Sequence, residues 1–147
     1  MRGNIMLLFH RFNKLLALFV CLLIVLAGCT PISVYSQYAY QQAVDLKVES
    51  LNLISHADQS YQNYQKDVDD LTQKVEKAYE YAKGRKDNDL STQQWEILKN
   101  PDGHLLGGVL KKWKSEDKLS TVYVSDKKQT ISDAYDQIII LESGKPK

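Results

Sequence analysis

The longest pattern in the chain is an unbroken run of helix-compatible residues. From Ser33 to Lys83, 51 residues pass without a glycine or a proline. Within it, Ile54, Ala57, Tyr61, Tyr64, Val68, Leu71, Val75, Ala78 and Ala82 step alternately by 3 and 4. That spacing returns a side chain to the same helix face every turn and predicts an amphipathic, heptad-like helix. Gln, Lys, Asp and Glu fill the positions between, as a solvated face requires. Upstream, Tyr40, Ala43, Val44, Val48 and Leu51 carry a second stripe whose phase shifts at Leu51. An unbroken helix over this run would reach about 75 Å; a bend near Ser50–Ser55 would give two shorter ones. Gly84 is expected to stop the run in a left-handed cap, and Lys83, Arg85 and Lys86 suit the negative end of the helix dipole.

Two short helices follow. Ser91 with Gln94 and Leu90 with Trp95 have the spacing of a capping box and a hydrophobic staple, predicting a helix from Ser91 to about Lys99. Asn100-Pro101-Asp102-Gly103 reads as a turn. His104–Lys114 places Leu105, Leu106, Val109, Leu110 and Trp113 on one face. Gly107-Gly108 costs that helix about 1 kcal/mol per glycine against alanine, so it predicts either close backbone packing or a hinge. Leu119–Val124 is strand-like in composition, as an extended lead-in or a helix start. Ser125–Glu142 is expected to be the last helix, with Ile131, Ala134, Tyr135, Ile138, Ile139 and Leu141 buried, Gly144 stopping it and residues 144–147 loose. The fold class is therefore all-α. The expected architecture is a long N-terminal helix, with two short helices and a C-terminal helix folded back on it as a small bundle. The seam alanines and tyrosines suit an intramolecular partner helix, with a homo-oligomeric coiled coil as the competing use.

The first 28 residues have a different grammar. Arg2, Arg11 and Lys14 make a cationic head without an acid, Leu15–Ala27 is a 13-residue apolar run, and small residues close it. This is the order of a secretory signal, and the run is shorter than the ~20 residues of a membrane span. Leu26-Ala27-Gly28-Cys29 resembles the lipobox of bacterial lipoproteins, a likeness confined to residues 1–29. The resemblance implies cleavage after Gly28, diacylglycerol on the Cys29 thiol and an acylated new amino group. Thr30 in place of Asp implies transfer to the outer membrane in a Gram-negative host. The expected layout is a signal over 1–28, a lipidated tether over 29–33, a helical domain over 34–143 and the tail. Tyr35, Tyr38 and Tyr40 then either lie at headgroup level or begin the helical core.

Composition narrows the function. Losing Arg2, Arg11 and Lys14 with the signal changes 19 basic and 18 acidic side chains to 16 and 18, a net −2. That balance argues against nucleic acid as a partner. Of the two cysteines, Cys21 would leave with the signal and Cys29 would be acylated, so neither a disulfide nor a thiol nucleophile is expected. His56 and His104 fall on separate elements without a zinc motif. Asp67, Asp69, Asp70 and Glu76 lack the glycine and ligand order of a calcium loop. No catalytic residues, metal or cofactor are expected.

A functional surface, if separate from the core, is expected around Trp95, Asn100, Asp102, His104, Gly107, Gly108 and Trp113, since aromatic anchors are enriched at interface hot spots. The competing use of both tryptophans is core packing. The function expected is a lipid-anchored, non-enzymatic binding or adaptor protein of the cell envelope with an envelope protein as partner. The alternatives are a spacer between membrane and cell wall, and an exclusion lipoprotein directed at a phage or toxin.

Overall fold

The computed structural model describes residues 32–147. The signal, the Leu26-Ala27-Gly28 box and Cys29 lie outside them. The described residues form five α-helices: α1 (Gln37–Ile54), α2 (Gln65–Lys83), α3 (Asp89–Lys99), α4 (Leu106–Glu116) and α5 (Thr121–Ser143).

The run from Ser33 to Lys83 divides into α1 and α2. Ser36 caps α1 by accepting from the Ala39 amide at 3.2 Å. Ser55 ends it, with its hydroxyl turned back onto the Asn52 carbonyl. Ser, His, Asp and Ser crowd residues 55–60, and such side chains compete with the backbone ladder. After a single 3-10 turn at Tyr61–Asn63, the chain reverses into α2. Of the nine seam residues all but the half-buried Tyr64 are buried, yet Ile54, Ala57 and Tyr61 reach the core across a turn rather than along one helix. The seam meets helices of its own chain.

Cross-links between side chains define the topology. Glu49 meets Lys74 and Tyr38 meets Tyr81, so α1 and α2 are antiparallel. Lys99 pairs with Glu76 at 2.8 Å, while Asn88 Nδ2 donates to the Ala82 carbonyl at 2.8 Å, so α2 and α3 are antiparallel. Trp95 packs edge-on against Tyr135 and Ser91 meets Glu142, which runs α5 against α3. Lys47–Asp136 at 2.6 Å and the Ser50–Tyr135 hydroxyl pair at 2.8 Å run α5 against α1 as well. The result is an up-down-up-down bundle of α1, α2, α3 and α5 in which each helix has two antiparallel neighbours. Helix α4 closes one end.

That end is the distal one, made by residues 55–64 and 100–120. Trp113 Nε1 donates to the carbonyls of Gln59 and Asp117 at 2.9 and 3.1 Å. Asp117 holds a left-handed φ of 64°. It accepts the Tyr61 amide on its own carbonyl at 2.8 Å and the Ser60 hydroxyl on its carboxylate at 2.8 Å. The described residues start at the other, proximal end, where Ser33–Ser36, residues 81–91 and residues 142–146 meet.

Several local expectations are corrected. Gly84 has φ −75°, and the left-handed residue falls instead at Asp87 with φ 55°. Helix α3 starts two residues early behind Asn88; Ser91 is buried inside it and Leu90 is exposed, so neither the box nor the staple forms. Of the two uses of Leu119–Val124 the helix start is the one found, so α5 begins at Thr121 rather than Ser125, with Ser120 capping it through the Tyr123 amide at 3.3 Å. The tail is not loose: Lys145 is buried, and the Pro146 carbonyl accepts the Tyr35 amide at 2.7 Å.

Gly107 and Gly108 form no hinge. A Cβ at Gly107 would lie 2.1 Å from the Lys99 carbonyl oxygen, and one at Gly108 would lie 1.9 Å from that of Gly103. Both contacts are with backbone, so the corner between α3 and α4 closes only without side chains there. Gly107→Ala and Gly108→Ala should therefore each destabilise by about 3 kcal/mol in urea titration, whereas a merely flexible helical glycine would gain up to about 1 kcal/mol. Tyr135 makes a second prediction. Burial raises its hydroxyl above the ordinary tyrosine value, only partly offset by the bond to Ser50. The folded chain then keeps a proton that the unfolded chain releases, so this contribution is complete below about pH 10 and lost as pH rises beyond it. Tyr135→Phe should cost about 1 kcal/mol at neutral pH and flatten the alkaline loss, measured by denaturation between pH 8 and 11.

Candidate functional site

The anticipated partner surface is split by the fold. Trp95 and Trp113 are 3% and 0% exposed and belong to the core, so neither can anchor a partner. Asn100, Asp102 and His104 are exposed and stay together at the distal corner, with Gly107 and Gly108 half-buried behind them. Sequence order accounts for the corner. Asn100 Oδ1 accepts the Asp102 amide at 2.9 Å and its carbonyl accepts the Gly103 amide at 3.1 Å, a turn with Pro101 at its second position. Lys111 donates to Asp102 at 2.6 Å and holds that carboxyl below the usual range, first through the hydrogen bond and then through its charge.

An open groove of about 460 Å³ lies on the distal half between the end of α1 and the start of α5. Leu51, Ser55 and Asp58 line one wall, and Ser125, Lys128 and Gln129 the other. Its lining of hydroxyls, an amide and one charge of each sign suits hydrogen bonding to another surface. His56 stacks on Tyr64 with ring centroids 5.0 Å apart, and Gln59 lies within 3.3 Å of its Nδ1. His104 is at the corner, on a different element. Asp70 pairs with Lys66 and Glu76 with Lys99, while Asp67 and Asp69 face solvent. Among the described residues no three His, Cys, Asp or Glu side chains converge as metal ligands.

The proximal end holds polar residues that sequence reasoning missed. Glu142, Lys145, Asn88, Ser91 and Ser33 are all buried. Glu142 Oε1 accepts from Ser91 and from Lys145, both at 2.6 Å, and Arg85 approaches its other oxygen at 3.3 Å. Lys145 Nζ also donates to Ser91 Oγ at 2.8 Å and to Asn88 Oδ1. Asn88 Oδ1 in turn accepts the Ser33 hydroxyl at 2.7 Å, and the Ser33 amide donates to the Asp87 carbonyl at 2.7 Å. Arg85 reaches on to the Val34 carbonyl. Burial pulls the Lys145 ammonium below its ordinary value and the Arg85 charge adds to this, while the bond to Glu142 opposes both.

A signal for this clasp was present. The buried stripe Ile131, Tyr135, Ile138 steps by 4 and 3, and the next step of 4 lands on Glu142. In the same way Ser91 lies on the stripe of Trp95 and Leu98.

Comparison with family models, with curated proteins and with solved structures finds no match. The reading of function therefore stands on this chain's residues alone.

The clasp yields a stability prediction. Removing one member of a buried ion pair strands the other, at about 3–5 kcal/mol, while replacing both by neutral groups of similar size is often near neutral. Glu142→Gln and Lys145→Met should each destabilise markedly in thermal or urea denaturation. The double variant should recover much of the loss. A simple sum of the two effects would show that the groups do not act as a pair.

Proposed function

We propose that this chain is a lipid-anchored, non-enzymatic binding protein of the bacterial envelope, presenting its distal end to a protein partner. The observation that carries the reading joins sequence to fold. Ile32, three residues on from Cys29 of the lipobox-like Leu26-Ala27-Gly28-Cys29, is where the described residues start, at the proximal end of the bundle. Three residues reach about 11 Å at full extension. A lipid on Cys29 would thus hold the proximal end close to the bilayer and turn the distal corner and groove outward. Two or three acyl chains give near-permanent anchoring, where one gives only marginal binding.

The distal features support binding rather than chemistry. Asn100, Asp102 and His104 offer exposed hydrogen-bonding groups on a corner fixed by backbone contact at Gly107 and Gly108. A rigid polar corner loses little entropy when a partner covers it. Thr30 is consistent with an outer-membrane destination in a Gram-negative host.

Two measurements test the proposal. Cys29→Ser should leave the precursor unprocessed and without incorporated lipid label; retention of a palmitate label would refute the anchor. A photo-crosslinking residue at His104 or Gln129 should give a discrete adduct in intact cells, and one at Gln73, exposed midway along α2, should not. Equal yield at all three positions would refute a distal partner surface.

A further inference from the structure

The proximal end carries an apolar surface as well as the clasp beneath it. Ile32, Val34, Tyr38 and Tyr81 are 42%, 64%, 57% and 38% exposed. Two of them are in direct contact, and Arg85 ties the backbone of a third to them. Tyr38 and Tyr81 meet edge-on with centroids 4.8 Å apart. The Arg85 guanidinium lies 5.9 Å from the Tyr81 ring centroid and also reaches the Val34 carbonyl. The Tyr81 hydroxyl is 3.0 Å from Ser36 Oγ, the cap of α1. Ile32 adjoins them through Ser33, which is fixed by its bonds to Asp87 and Asn88. Single exposed hydrophobic residues are ordinary, but four gathered at one end of the bundle, two of them tyrosines in contact, mark a contact surface.

We infer that this surface is a bilayer-docking face, on which the bundle rests against the headgroup layer through Ile32, Val34, Tyr38 and Tyr81. The inference rests on the lipid-anchor reading and goes beyond it, because a lipid alone would leave the domain free to tumble on its tether. Two observations select a membrane as the occupant. The first is where the chain leads: Ile32 lies three residues from Cys29, so this end is the one brought within about 11 Å of the bilayer. The second is chemistry. Tyrosine rings are favoured at the membrane–water boundary, where the ring meets acyl chain and the hydroxyl stays wet. Charge is not the attraction. In the turn beside the patch, Lys83, Arg85 and Lys86 are matched by Glu80, Asp87 and Asp89. Docking should then be indifferent to anionic lipid and to salt, unlike that of a polybasic segment.

The test uses the processed full chain in neutral phosphatidylcholine vesicles. In a Cys21→Ser background, a nitroxide is attached through Lys86→Cys, which is remote in sequence from the tether, or through His104→Cys at the distal corner. The mass of the mature N-terminal peptide reports the lipid on Cys29. The expected result is a lipidated protein whose Lys86→Cys label is reached by oxygen dissolved in the bilayer and shielded from an aqueous nickel chelate. The His104→Cys label should show the reverse, and neither should change in 1 M NaCl. Adding Tyr38→Ser and Tyr81→Ser, with helicity confirmed by circular dichroism, should return the Lys86→Cys label to water. A lipidated protein whose two labels are equally aqueous overturns the docking face and leaves the anchor standing. The same follows if salt releases the contact or if the tyrosine variant still docks. An unlipidated Cys29 overturns both readings.

Discussion

One buried pair of opposite charges sets the constraint around which the proximal end is built. Glu142, in the last turn of α5, and Lys145, just beyond its end, are each 1% exposed in their side chains. Charges so placed must be satisfied on every side, because desolvation is not repaid by one partner alone. The partners come from two segments, Ser91 from α3 and Asn88 and Arg85 from the turn before it, and Asn88 ties in a third, Ser33 at the start of the described chain. Satisfying the pair therefore fixes how these segments meet. No buried polar side-chain atom among the described residues is left without a partner.

The two ends of the bundle solve the same problem by different chemistry. The proximal end is held by side-chain charges and amides. The distal end is held mainly by backbone: Asp117 in its left-handed conformation, Trp113 donating to two carbonyls, and glycines that let α4 touch the α3 corner. Between them the core is one of Leu, Ile, Val and Ala with Tyr61, Trp95, Trp113 and Tyr135 buried among them. The distal corner is thus held by close backbone contact, which leaves its α3–α4 junction little room to shift.

Much of this architecture was legible in the chain. The 3,4 spacing of Val68, Leu71, Val75, Ala78 and Ala82 identified the buried face of α2, and Ile131, Tyr135 and Ile138 did the same for α5. Gly107-Gly108 announced a close approach, although not what was approached. The boundaries were less readable. Ser91 has the chemistry of a cap but serves Glu142 instead, and Asn88 takes the position in front of α3 while its amide closes α2. Local rules cannot foresee this, because the competing partner is 51 residues away. Trp95 and Trp113 illustrate the same limit. An aromatic residue on a short helix suits a core or an interface equally until its neighbours are known.

The meeting of Tyr35 and Pro146 has a further consequence. The first and last described segments are hydrogen-bonded to each other, so the four antiparallel helices form a nearly closed circuit. A closed circuit has no privileged starting point. A short peptide linking 146 to 35, with a new opening cut at residues 55–60, would preserve every helix pair in permuted order. The fold's identity lies in that cycle of neighbours, and the position of its break is a separate matter, available to place an anchor at one pole without altering the other.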